Sequence, residues 1–92
     1  MDGVSLSVTD PYLVPILETG MVIFIGEKEG YGKTVILEGT DGVEIWYGNL
    51  SEVNVELYDL KEKGEYLGSA KGNLYLVFKK DGKVLDYKNY LS

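Results

Sequence analysis

The 92-residue chain contains no histidine and no cysteine, and all nine of its basic residues are lysine. Without cysteine there is no disulfide, which leaves reducing and oxidising compartments equally open. Without histidine the commonest general base is missing, and with cysteine also absent so are the usual soft metal ligands. Fifteen acidic residues against nine lysines give a net charge of −6. With no arginine and no basic cluster, the chain lacks the phosphate-neutralising surface that nucleic acid or an anionic membrane calls for. The longest apolar run, residues 21–25, falls far short of the roughly 18 residues of a membrane-spanning helix. The start, Met1-Asp2-Gly3-Val4, has neither the basic nor the apolar region of a signal peptide.

What is present is an ordinary globular composition, 45% hydrophobic and 26% charged, in a length that supports one modest core. Apolar alternation punctuated by glycine predicts an all-β fold, an antiparallel sandwich or open barrel of short strands joined by glycine-rich turns. Strands are expected over residues 21–25, 34–38, 43–47, 65–68, 74–78 and 84–86. Gly39-Thr40-Asp41-Gly42 and Lys80-Asp81-Gly82-Lys83 carry the Asp-Gly signal of a hairpin turn. Pro11 and Pro15 make residues 9–16 an extended segment rather than a central strand. Residues 51–63 read as an extended connection with one helical turn near 59–63.

The candidate chemistry is sparse. Gly30-Tyr31-Gly32-Lys33-Thr34 ends like a phosphate loop, but Glu27 occupies the position that needs the first glycine. A strand pattern also follows where a helix N-terminus is required. Asp41 and Asp81 are accounted for by hairpin turns, and Glu38, Glu44, Glu52 and Glu56 by solvated strand faces. No two carboxylates are paired by sequence for glycosidase chemistry, and no serine has a lysine at Ser-x-x-Lys spacing. Trp46, Tyr47, Tyr31 and Tyr75 are candidates for a recognition surface or for core filling. By the two-residue period of a strand, Tyr47 and Asn49 are expected on one side, as are Asn73 and Tyr75.

The order of these elements resembles the LytM or lysostaphin-type zinc peptidase domain over nearly the whole chain. Gly20-Met21-Val22-Ile23-Phe24-Ile25-Gly26 is similar to its G-x-V-x-x-x-G strand. Tyr31-Gly32-Lys33-Thr34-Val35-Ile36-Leu37 with Asp41-Gly42-Val43 is similar to its next hairpin. Trp46-Tyr47-Gly48-Asn49-Leu50 resembles x-Y-x-H-L, and Gly72-Asn73-Leu74-Tyr75-Leu76-Val77-Phe78 resembles x-H-L-H-F-E-V. Lys63-Gly64-Glu65-Tyr66-Leu67-Gly68 and Asp81-Gly82-Lys83-Val84-Leu85-Asp86 complete the series.

The family's zinc ligands then fall on Met1, Ser5 and Tyr75, and its two further histidines on Asn49 and Asn73. Asparagine hydrogen-bonds but takes up no proton at neutral pH. Thioether, hydroxyl and phenol do not make a catalytic zinc site, which needs three firm ligands and a water. The resemblance therefore implies a pseudoenzyme that needs no cofactor. Leu57-Tyr58-Asp59 stands where active relatives have a glycine-containing turn, as in degenerate sporulation members of the family. By resemblance, residues 1–92 form one such domain, excised from a longer membrane-anchored protein on the extracytoplasmic side of the membrane around the forespore. The implied role is contact with a protein partner, a membrane protease complex held in check, through Tyr31, Trp46, Tyr47, Asn49, Asn73 and Tyr75. Peptidoglycan binding, or scaffolding and activation of a cell-wall hydrolase, is the alternative.

Overall fold

The computed structural model describes residues 3–91. Eight antiparallel strands form a single hydrogen-bonded sheet: β1 (Val4–Ser7), β2 (Tyr12–Pro15), β3 (Gly20–Lys28), β4 (Gly32–Gly39), β5 (Glu44–Val53), β6 (Leu60–Lys61), β7 (Tyr66–Lys80) and β8 (Lys83–Val84). The main path runs β1-β7-β5-β4-β3-β6, with β2 and β8 also paired to β7. The all-β antiparallel fold is the expected one.

The two central hairpins follow from their turns. Asp41 accepts a hydrogen bond from the Val43 N–H (3.0 Å) and Gly42 sits at φ 82°, so the Asp-Gly pair reverses β4 into β5. The result is direct pairing of Ile36 with Trp46 and of Leu37 with Ile45. The two strands expected at 65–68 and 74–78 are one continuous strand, β7, 15 residues long. Its two halves pair with different partners along one edge: Gly68–Ala70 meets β2 and Asn73–Leu76 meets β1. Gly72, at φ 80°, marks the change between them.

Residues 9–16 are extended and hold no central strand, as expected. They contain β2, an edge strand paired with β7 alone, whose register breaks at Val14/Pro15, where the proline has no N–H to give. One local expectation is corrected. Residues 59–63 hold no helical turn. Leu60 and Lys61 instead add a short strand to β3, because Gly20 and Met21 offer them a free edge to pair with. The one helical piece among the described residues is a 3-10 turn, Tyr87–Asn89, capped by the Asp86 carboxylate on the Lys88 N–H.

The sheet wraps one core. Val14, Val22, Val35, Leu37, Ile45, Tyr47, Leu67, Leu74, Leu76 and Phe78 are buried in it, drawn from β2, β3, β4, β5 and β7. The segment leaving β6 comes back against the one leaving β2. Ile16 donates to the Glu65 carbonyl (2.6 Å) and accepts from the Gly64 N–H (2.9 Å). Tyr47, the largest of the fully buried side chains, is polar, and its phenol oxygen accepts the Leu17 N–H (3.0 Å). That bond ties the β2–β3 connection to the middle of β5.

Burial drives the Tyr47 phenol well above its ordinary ionisation range. The folded state thus holds this proton more tightly than the unfolded chain. Its contribution is complete below about pH 10 and declines as pH rises toward the folded-state value. Tyr47→Phe leaves the Leu17 N–H without its partner and should cost about 1–2 kcal/mol at neutral pH. Thermal melts should show a drop of about 4–8 °C for each kcal/mol. The gap between wild type and Tyr47→Phe should narrow above about pH 10. A gap independent of pH would mean that the phenol ionises freely.

Candidate functional site

Opposite the core, the sheet carries a second row of side chains set by register. Phe24 of β3 faces Ile36 of β4, Ile36 faces Trp46 of β5, and Trp46 faces Val77 of β7. Directly opposed residues share a face, so these four make an apolar strip across the strands, with Ile36 and Val77 buried in it. Tyr31, on the β3–β4 turn, meets the Trp46 indole edge-on at 5.7 Å. Lys79 Nζ stands 4.0 Å from the Trp46 ring centroid, and Lys28 Nζ lies 5.0 Å from it and 4.6 Å from that of Phe24. Glu44 accepts the indole N–H at 3.0 Å, so it serves this site rather than an idle solvated face.

Beyond Trp46 the strip reaches Gly48, where side chains crowd in from both neighbours. A Cβ there would lie 3.0 Å from the Tyr31 carbonyl, 3.1 Å from its Cβ and 3.3 Å from the Tyr75 Cβ. Any side chain there would press on both aromatic residues and make them give by a few tenths of an ångström. Asn49 follows at φ 61°, a left-handed conformation that asparagine tolerates better than most residues. Its backbone N–H donates to the Tyr31 carbonyl. Its Nδ2 donates to the Asn73 carbonyl (2.9 Å), and Asn73 Nδ2 in turn donates to Ser5 Oγ (3.2 Å). Tyr75 is the register partner of both Ser5 and Gly48.

Ser5, Tyr31, Trp46, Asn49, Asn73 and Tyr75 are therefore brought together on one face, spread over four separate segments. Tyr47 is not among them. The strand slips register between Gly48 and Leu50, so the simple alternation that placed Tyr47 beside Asn49 fails, and Tyr47 points into the core. Met1 lies outside the described residues. Phe24, Lys28 and Lys79 are part of the site and were not singled out by motif. The hairpin register could have found them, since Lys79 lies two residues beyond Val77 on the strand that faces Trp46.

The donor set at this site is two amides, a hydroxyl and a phenol, of which the amides and the hydroxyl already bond to one another or to backbone. Among the described residues no group of three His, Cys, Asp or Glu side chains is placed to hold a metal ion. These residues do not fit a zinc ion, whose catalytic sites take three imidazole, carboxylate or thiolate ligands.

Comparison with known proteins bears on the family and the fold. The profile of peptidase family M23 matches residues 1–89. Stage IV sporulation protein FA of Bacillus subtilis is 30% identical over 92% of the chain, which spans 34% of that relative's length. The fold is similar to the catalytic domain of the antimicrobial peptidase lysostaphin from Staphylococcus simulans (TM-score 0.87, 20% identity, 99% of this chain and 78% of that one). It is equally similar to a chain of the SpoIIQ–SpoIIIAH pore-forming complex (TM-score 0.86, 22% identity, 99% of this chain and 65% of that one).

Asn49→Ala should destabilise the chain by about 1–3 kcal/mol, from left-handed backbone strain and the lost bond to Asn73. Asn49→Gly should recover the strain component alone. Chemical denaturation of both variants measures the difference. Equal losses would show that backbone conformation is not what asparagine supplies here.

Proposed function

The chain belongs to peptidase family M23, and from that premise we propose that it is a non-catalytic interaction domain of an extracytoplasmic sporulation protein. It regulates a membrane protease complex by protein contacts through the face built on Trp46. The observation that supports this reading most directly is the mutual hydrogen bonding of Asn49, Asn73 and Ser5 beside Tyr75. The family's peptidase chemistry needs a metal-bound water and a group that exchanges protons. Here Asn49, Asn73 and Ser5 are neutral groups already engaged with one another or with backbone, which supports a frame kept for its surface rather than for chemistry of that kind.

The face is suited to holding a protein segment. The strip of Phe24, Ile36, Trp46 and Val77 gives an apolar floor, and amide and hydroxyl groups at one end orient what lies on it. Buried aromatic anchors with polar rims carry most of the energy in protein interfaces. The 30% identity to stage IV sporulation protein FA supports the sporulation setting. The Tyr31–Trp46 pair also suits a glycan face, and a second reading is peptidoglycan binding through the same strip.

Trp46→Ala and Tyr75→Ala should each weaken co-purification of the membrane protease complex with the full-length parent protein by at least about tenfold, which is 1.4 kcal/mol. Both variants should keep the wild-type β-sheet circular dichroism spectrum. Unchanged capture by both would place the contact elsewhere. Retention on purified sacculi, lost in Trp46→Ala, would favour the glycan reading. Stoichiometric zinc after dialysis, or turnover of a glycine-rich peptide, would overturn the non-catalytic assignment.

A further inference from the structure

Seven large apolar side chains are exposed among the described residues, and four of them belong to the β6 edge of the sheet and the turn that precedes it. Leu57 is 47% exposed, Tyr58 67%, Leu60 76%, and Met21, which pairs with Leu60, 37%. Beside them lies a hollow of about 480 Å³ whose lining includes Thr19, Met21, Glu38, Gly39, Leu60 and Glu62. Exposed apolar side chains scattered singly need no explanation, but a contiguous group of them does.

The backbone beneath the patch carries strain. Glu56–Asp59 is a tight turn closed by the Asp59 N–H on the Glu56 carbonyl (3.1 Å). Its third residue, Tyr58, sits at φ 71°, a position that such turns normally give to glycine. A tyrosine there is strained where glycine would not be. The turn is held from outside the strained residue. Tyr58 donates to the Val22 carbonyl (2.7 Å), Val22 donates to the Asp59 carbonyl (2.9 Å), and the Asp59 carboxylate accepts the Glu56 N–H (2.8 Å). Every one of these bonds would survive glycine at position 58, since none uses the Tyr58 side chain. None of these bonds calls for the exposed phenol ring.

Charge around the patch narrows the partner. Lys61 is paired with Glu65 (3.5 Å) and Lys63 with Glu18 (3.9 Å). Glu38, Glu56 and Glu62 have no ion pair among the described residues, so the rim is acidic. An acidic rim repels an anionic membrane surface and complements a cationic one. We propose that the Glu56–Asp59 turn, β6 and the adjoining hollow form a docking surface for an amphipathic basic segment of another protein. An apolar side chain of that segment enters the hollow between Met21 and Leu60, and its lysines or arginines meet Glu38, Glu56 and Glu62. Tyr58 is the anchor on this side. The register row of this surface, Leu60, Met21 and Glu38, lies on the same side of the sheet as the Trp46 strip, at the β6 edge rather than at the indole. The proposal stands whether or not the strip binds anything.

Amide shifts of the isotope-labelled chain, titrated with synthetic peptides, test this. A leucine–lysine peptide should shift residues 20–21, 38–39 and 57–62, whereas a leucine–glutamate peptide of equal length should shift none of them. Oligolysine should bind at least about tenfold more weakly than the leucine–lysine peptide. Leu60→Ser and Tyr58→Gly should each weaken the leucine–lysine peptide by about tenfold, on the scale of interface anchors. Tyr58→Gly should at the same time raise the melting temperature, because glycine relieves the left-handed strain. Trp46→Ala should change none of this. Equal binding of oligolysine would reduce the surface to unspecific charge and overturn the proposal, as would unchanged affinity in either patch variant. So would sedimentation of the wild type as a dimer that Leu60→Ser converts to monomer, which would assign the surface to a second copy of the chain.

Discussion

The register slip between Gly48 and Leu50 in β5 sets what both faces of the sheet can be. Without it, strict alternation would put Tyr47 and Asn49 on one side and Trp46, Gly48 and Leu50 on the other. With it, Tyr47 and Leu50 both enter the core, while Trp46 and Asn49 belong to the opposite face. The slip depends on two residues. Gly48 admits the close approach of Tyr31 and Tyr75, and Asn49 accepts the left-handed backbone. Its consequences reach the rest of the fold, because Tyr47, once turned inward, holds the β2–β3 connection through Leu17. The same residues thus tie the core to the candidate site.

That coupling gives the frame around the candidate site supports of its own. Asn49 braces the β3–β4 turn through the Tyr31 carbonyl and braces β7 through Asn73. These contacts are structural in their own right. The indole of Trp46 is similarly engaged, with Lys79 and Lys28 near its ring and Glu44 on its N–H. Each lysine contributes about 0.5–1 kcal/mol at an exposed ring. A partner that reaches the indole must offer more than the lysines do, or leave them in place and bind around them. Either way, occupancy of this face is selective. At the far edge of the sheet the balance is reversed, because Tyr58 and Leu60 are unengaged and exposed.

Much of the fold was legible because its determinants are local. Asp41-Gly42 and Asp81-Gly82 announced their hairpins, and the apolar runs of β3, β4 and β7 announced strands. The misreadings occurred where a distant partner decides. The short edge strands β1 and β2 exist because β7 is long enough to offer them an edge, and nothing within residues 4–15 states that. Leu60 and Lys61 join the sheet because Gly20 and Met21 are there to pair with them. At the site, Ser5, Asn49, Asn73 and Tyr75, named through the family resemblance, are neighbours in the structure. The two-residue period erred on Tyr47, because a bulge leaves no mark in an alternation pattern beyond the Gly48-Asn49 pair itself.

Composition alone determined that no imidazole, thiolate or guanidinium chemistry is open to this chain, since side chains that are absent cannot be supplied by folding. The turn residues and apolar periodicity likewise determined the all-β class. Only the tertiary structure decided which aromatic residues belong to the core and which to the surface. Tyr47 and Trp46 are adjacent and chemically similar, and their fates differ through cross-strand register. It also decided that Tyr58 occupies a backbone conformation suited to glycine, because the bonds that impose it come from Val22, more than thirty residues away.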